Sequence, residues 1–189
     1  MEFGIQFFPA VGPDQKPAEQ YWREALELTQ LAERLGFTNV RTVEHYFLSY
    51  GGYSPDPLIF LSAAAAVTRS IRLITGAVLP VFNNPLKLAG QIGMVDAISG
   101  GRLEVGFARA FLPHEFARFG ISMDESRARF DEGLEQVRHD RPRRGRGVDA
   151  VVRARGDAVL YAGLIEAERR QLRARCSASP RQAINEFRM

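Results

Sequence analysis

Ile71-Arg72-Leu73-Ile74-Thr75-Gly76-Ala77-Val78-Leu79 is nearly continuous in apolar character. Strands wetted on one face alternate; a run like this one suits a strand covered on both faces, as in a parallel sheet. The next residues agree. Pro85 to Ile98 has helical content and is closed by Ser99-Gly100-Gly101, and Arg102-Leu103-Glu104-Val105-Gly106-Phe107 supplies another strand. Strand, helix and strand in succession form the crossover that parallel pairing requires.

The same unit repeats on either side. Phe3-Gly4-Ile5-Gln6-Phe7-Phe8 is a short aromatic strand ending at Pro9, and Thr38 to Val43 is a second strand. Between them Trp22, Leu28, Leu31, Ala32 and Leu35 make a helical stripe, with Gly36 placed to cap it. A loop rich in Gly, Tyr and Pro (Gly51 to Pro57) leads into an alanine-rich helix from Leu58 to Thr68. Beyond strand four, Met123-Asp124 opens a helix that turns Phe130, Leu134 and Val137 inward.

Four strand–helix units suit either a doubly wound sheet or a barrel. No G-x-G-x-x-G follows the first strand, and Gly100-Gly101 precedes a strand rather than opening a helix. The pattern therefore favours α/β architecture of the (β/α)₈ TIM-barrel kind, with residues 1–139 as its N-terminal half. Ile5, Val105 and Phe107 are expected to point into the barrel. A complete barrel usually takes about 250 residues, so 189 residues accommodate half of one.

After residue 140 the alternation stops. Arg141-Pro142-Arg143-Arg144-Gly145-Arg146-Gly147 is loop-like, and Ala158 to Ala174 has helical content. Residues 141–189 hold 12 arginines, no lysine and 5 acidic residues, a balance of +7 within a net charge of +3, so residues 1–140 carry −4. The segment 140–189 is expected to be a divergent basic tail. Its abrupt rise in Arg, Ala and Gly motivates the hypothesis that it is an out-of-frame translation of a GC-rich gene.

Charge alone is a weak pointer to nucleic acid. The tail lacks a helix-turn-helix pattern, zinc-finger spacing and aromatic residues interleaved with its arginines. The single cysteine, Cys176, excludes an internal disulfide framework and a cysteine-based zinc cluster. No run approaches the roughly 20 apolar residues of a membrane span, and Met1-Glu2-Phe3-Gly4 does not open like a signal peptide. A cytoplasmic protein is the expectation.

Several segments, in order and spacing, carry a family likeness. They are Val43-Glu44-His45-Tyr46-Phe47, Leu79-Pro80, Asn84-Pro85, Asp96 to Arg102, Gly106-Phe107-Ala108-Arg109-Ala110, Phe116, Phe119-Gly120 and Ser126-Arg127. Over roughly three quarters of its length the chain resembles the bacterial-luciferase-like, flavin-dependent monooxygenases. The resemblance implies an active site at the C-terminal mouth of the barrel, where reduced FMN and O₂ oxygenate a small organic substrate. It implies a flavin reductase as the source of reduced flavin. Some relatives use the deazaflavin F420 and transfer hydride instead, and residues 1–139 do not separate the two.

Residue by residue, His45 matches the family's catalytic histidine and Arg109 an arginine that contacts the flavin phosphate. Thr75-Gly76-Ala77 matches a bulge whose non-proline cis peptide lies against the flavin ring. Ala108 stands where luciferase itself has a reactive cysteine, so light emission is not implied. The tail resembles no part of the family. The alternative function is a catalytically inactive half-barrel that serves as a binding or assembly module.

On physical grounds His45 sits where barrel enzymes place catalytic groups, with a side chain suited to proton transfer near neutral pH. Glu44 either orients that imidazole or turns into the barrel wall. Arg109 offers a planar fork of donors to a phosphate. His114 is expected at the surface, and His139 has no neighbour suggesting a metal site. Phe7, Phe8, Phe47 and Phe107 either shelter a flavin from water or form plain core. With four units missing, both sheet edges would lack partners, so a homo-oligomer is expected.

Overall fold

In a computed structural model that describes residues 2–140, the chain forms a four-stranded parallel sheet with helices on one face. The strands are β1 (Gly4–Phe7), β2 (Asn39–Thr42), β3 (Arg72–Val78) and β4 (Leu103–Phe107), in spatial order β1-β2-β3-β4. Between and after them run α1 (Ala18–Arg34), α2 (Pro57–Val67), α3 (Pro85–Ser99), α4 (Pro113–Phe119) and α5 (Ser126–Asp140). Sequential parallel neighbours joined by helices are half of a (β/α)₈ barrel. The tail assigned to 140–189 lies outside the described residues, except for Asp140 at the end of α5.

Helix starts are written locally. Asp56 caps α2 by accepting from the Leu58 N–H at 2.9 Å, and Asn84 caps α3 by accepting from the Lys87 N–H at 3.0 Å. A proline occupies the first position of each helix, where its missing N–H is no loss. Gly100, at φ +67°, ends α3 in the left-handed region.

Strand alternation sorts the sheet into two faces. Phe7, Val40, Leu73, Leu103, Val105 and Phe107 pack with Ala25, Leu61, Leu88, Ile92 and Phe130 from the helices, and Ile5 packs against that core. The expectation that Ile5, Val105 and Phe107 point into the barrel is therefore corrected. The helices need an apolar floor, and these side chains provide it. The other face carries Gln6, Asn39, Arg41, Arg72 and Glu104 in register, with Ile74 among them. Arg72 bridges Glu2 at 2.8 Å and Glu104 at 3.0 Å there.

The register between β3 and β4 shifts by one residue, from Thr75↔Val105 to Val78↔Phe107. The extra residue sits at Gly76-Ala77, whose peptide bond is cis. Thr75 repairs the interrupted ladder: its hydroxyl donates to the Gly106 carbonyl at 2.9 Å and accepts from the Gly106 N–H at 2.8 Å.

Two other elements depart from expectation. The stripe on α1 is narrower than its large apolar residues suggest: Ala25, Thr29 and Ala32 are buried while Leu28 is exposed. Small side chains let α1 lie close to the sheet. The segment after β4 holds an additional helix, α4, before a 3₁₀ turn at Met123–Glu125 leads into α5. Seven residues are too few for a periodic stripe to announce a helix.

Candidate active site at the C-terminal ends of the strands

Parallel strands deliver the ends of β1 to β4 to one rim, where Phe8, His45, the Gly76-Ala77 bulge, Ala108 and Arg109 emerge. Two backbone-level ties hold this rim together. The Ala108 N–H donates to the Val78 carbonyl at 2.9 Å, and the Leu79 N–H donates to Glu44 Oε2 at 2.9 Å.

Glu44 is spent on that second tie. It is buried, and it also accepts from the Tyr46 hydroxyl at 2.5 Å and from Asn83 Nδ2 at 2.9 Å. Of its two expected roles it takes the wall, not the imidazole: among the described residues its hydrogen bonds run to Tyr46, Leu79 and Asn83. Burial pushes its carboxyl up to about 7, outweighing the hydrogen bonds that favour the ion.

The group that meets His45 is Glu115, from α4. Its Oε1 lies 3.1 Å from His45 Nδ1 and accepts from the Tyr46 N–H at 2.9 Å. Glu115 is 0% exposed, and its Oε2 has no partner among the described residues. His45 is 8% exposed. Its N–H donates to the Ser54 carbonyl at 3.0 Å. Its ring packs against Tyr50, Phe8 and Phe111 at centroid distances of 5.2, 5.6 and 6.1 Å. Gly51, at φ +72°, approaches the ring closely, since a Cβ there would stand 2.8 Å from the imidazole's Cδ2.

Sequence reasoning missed Glu115, which lies 70 positions from its partner. The available signals were Pro113 at a helix start and Gly120 at its left-handed end, which frame Glu115 on a helix. His114, expected at the surface, is half-buried, with Nε2 3.2 Å from the Tyr46 carbonyl. The four phenylalanines divide. Phe7 and Phe107 are core beneath the helices, Phe8 lies against His45, and Phe47 is exposed on the rim under the Arg118 guanidinium at 5.0 Å. Arg109 and Ala108 are half-buried. Among the described residues no group of three or more His, Cys, Asp or Glu is placed to hold a metal ion.

A parallel half-barrel with a buried imidazole–carboxylate pair and a bulged strand at its C-terminal rim has the layout of a barrel enzyme's active-site face. The chain belongs to the luciferase-like monooxygenase family, whose profile matches residues 1–170 and so runs past the boundary drawn at 139. It is 67% identical to the solved monooxygenase RslO1 from Streptomyces bottropensis, with a TM-score of 0.72 over 74% of this chain and 42% of that one. The oxygenating constituent of 3,6-diketocamphane monooxygenase from Pseudomonas putida, solved in complex with FMN, is 26% identical, with a TM-score of 0.68 over 72% and 38%. The oxygenase component of the flavin-dependent trigonelline monooxygenase of Acinetobacter baylyi is 38% identical over 111 residues, 59% of this chain and 31% of that protein. The chain thus spans 31% to 42% of the length of these three proteins.

Proposed function

We propose that this chain carries the front half of a flavin-dependent monooxygenase that uses reduced FMN and O₂ to oxygenate a small organic molecule. Its residues fit a flavin. At the rim the cis Gly76-Ala77 peptide and Ala108 offer backbone and methyl groups against which a flat ring could lie. A Cβ on Gly76 would lie 2.6 Å from the Arg41 side chain, which would have to move to admit it. The cis bulge on the same rim as His45 is the observation that carries the reading. Gly76, Ala77 and Ala108 would lie against the ring, and Arg109 would take the phosphate.

When bound, reduced FMN supplies the electrons that activate O₂. The chain's own residues position and shield. Phe8, Tyr50 and Phe111 keep water from the imidazole. His45 touches the bound molecule and manages a proton there. Glu44 and Glu115 are positioning residues, one joining β2 to β3 and the other holding the imidazole. A flavin reductase fits as the source of reduced cofactor, as the words "oxygenase component" in the Acinetobacter relative's name suggest. The FMN-bound relative favours FMN over F420.

Fluorescence titration tests the reading. This chain should quench FMN saturably but weakly, at high micromolar Kd or above by order of magnitude, because phosphate and ring contacts from later strands are not among residues 1–140. It should prefer FMN to riboflavin, and Arg109→Ala should erase that preference. Absence of saturable binding, or a preference untouched by Arg109→Ala, would sink it.

A further inference from the structure

We propose that Glu115 fixes the His45 imidazole in its Nδ1–H tautomer, so that a bare Nε2 faces the site and accepts a hydrogen bond from a bound molecule carrying an O–H or N–H at that point. The tautomer follows from side-chain geometry alone. Only the identity of the bound molecule rests on the flavin reading.

Glu115 Oε1 already accepts from the Tyr46 amide at 2.9 Å, and an amide N–H can only donate. The same oxygen lies 3.1 Å from Nδ1. A bare Nδ1 would set lone pair against lone pair, whereas an N–H there satisfies both atoms. The reverse arrangement, a carboxyl donating to Nδ1, would put the proton on Oε1, the oxygen that already accepts from the Tyr46 amide. Glu115 also has reason to hold that N–H. Its Oε2 has no partner among the described residues, so Tyr46 and His45 are the donors to a fully buried carboxylate.

Among the described residues nothing else around the ring competes for Nδ1. Glu44 is committed to Tyr46, Leu79 and Asn83, and His114 to the Tyr46 carbonyl. Phe8, Tyr50, Phe111 and Gly51 pack against the ring. In a neutral imidazole one nitrogen donates and the other accepts, and the partner of the first decides the role of the second. His45 is therefore an acceptor toward the site.

Nitrogen-15 NMR of the histidine-labelled chain reads this directly, because protonated and bare ring nitrogens resonate far apart. His45 signals are those lost in His45→Gln. On the basic side of the pH range, where the ring signals no longer change with pH, Nδ1 should be protonated and Nε2 bare. Glu115→Gln keeps an acceptor oxygen and should keep that tautomer. Glu115→Leu, shown folded by circular dichroism, should relax toward the mixture of free histidine. Phenol should move the Nε2 resonance, and anisole, lacking the hydroxyl, should not. A parent spectrum with Nε2 protonated overturns the proposal, as does a folded Glu115→Leu chain with the parent tautomer, or equal responses to phenol and anisole. An FMN titration that fails leaves these spectra unchanged, so the two readings fall separately.

Discussion

Glu44 and Glu115 show how neighbouring carboxylates acquire different work from their surroundings. Both are buried, yet Glu44 spends its lone pairs on three donors at the end of β3 and Tyr46, while Glu115 offers one oxygen to His45 and Tyr46. For Glu44 the consequence is a definite pH dependence. Its carboxyl lies near 7 in the fold against an ordinary 4.5. Between those values the folded chain keeps a proton that the unfolded chain has released. The contribution of Glu44 is therefore complete below about pH 4.5 and declines as pH rises through 7, by at most ~1.4 kcal/mol per pH unit. Glu44→Gln, which cannot ionise, should remove that slope. Urea midpoints at pH 4.5, 6 and 7.5 check it, and parallel pH profiles for parent and variant would falsify the assignment. The adjacency of Glu44 and His45 was legible in the sequence; which carboxylate serves the imidazole was not, because folding, not spacing, brings residue 115 to residue 45.

At the scale of elements, loops that run between helix and strand on the far side of the sheet are held by side chains reaching across. Glu33, near the end of α1, accepts from the N–H groups of Arg69, Ser70 and Ile71 at 2.9, 2.6 and 2.9 Å and from the Ser70 hydroxyl at 3.0 Å. Burial opposes the charge, but these donors outweigh it and hold the carboxyl at about 2. Here the sign is opposite to that of Glu44. The stabilisation is present above about pH 4.5 and disappears as pH falls toward 2. Glu33→Gln should lose about 1–2 kcal/mol at pH 7, solvent screening keeping the figure modest, and should match the parent near pH 2. An equal deficit at both pH values would refute the argument. Arg102 does similar work, donating to carbonyls of Ala65, Thr68, Ile71 and Ser99. The four strands and α1, α2, α3 and α5 were legible because long apolar runs and proline or glycine punctuation mark them. The helix α4 was not, since a single Pro113 and Gly120 bound it and its burial depends on a partner across the rim.

For the whole molecule, the outer faces of α2 and α3 stand out. Ile59 is 70% and Met94 67% exposed, with Leu86 and Ile98 also open to solvent. Asp56, Leu58, Ser62, Ala66, Gln91 and Val95 continue a groove of about 510 Å³ between the two helices. Apolar patches of this kind mark interfaces. Among the described residues β1 and β4 also have one strand neighbour each, which leaves ladder groups without strand partners. We expect self-association, and light scattering across a concentration series measures it. Ile59→Glu with Met94→Glu should shift the chain toward monomer if the helix faces are the contact. A parent that stays a monodisperse monomer across the series would overturn the expectation.

The charged lining of the sheet bears on how such a protein is made. Every large apolar side chain of β1, β2 and β4 faces helices that are already synthesised by residue 140, while the opposite face offers mainly polar groups, Gln6, Arg41, Arg72 and Glu104 around Ile74, with Arg72 paired to acidic residues on both sides. A nascent chain emerging from the ribosome can therefore settle this much of its oil-filled side before the rest is translated, because the surface it leaves bare is one that water already tolerates.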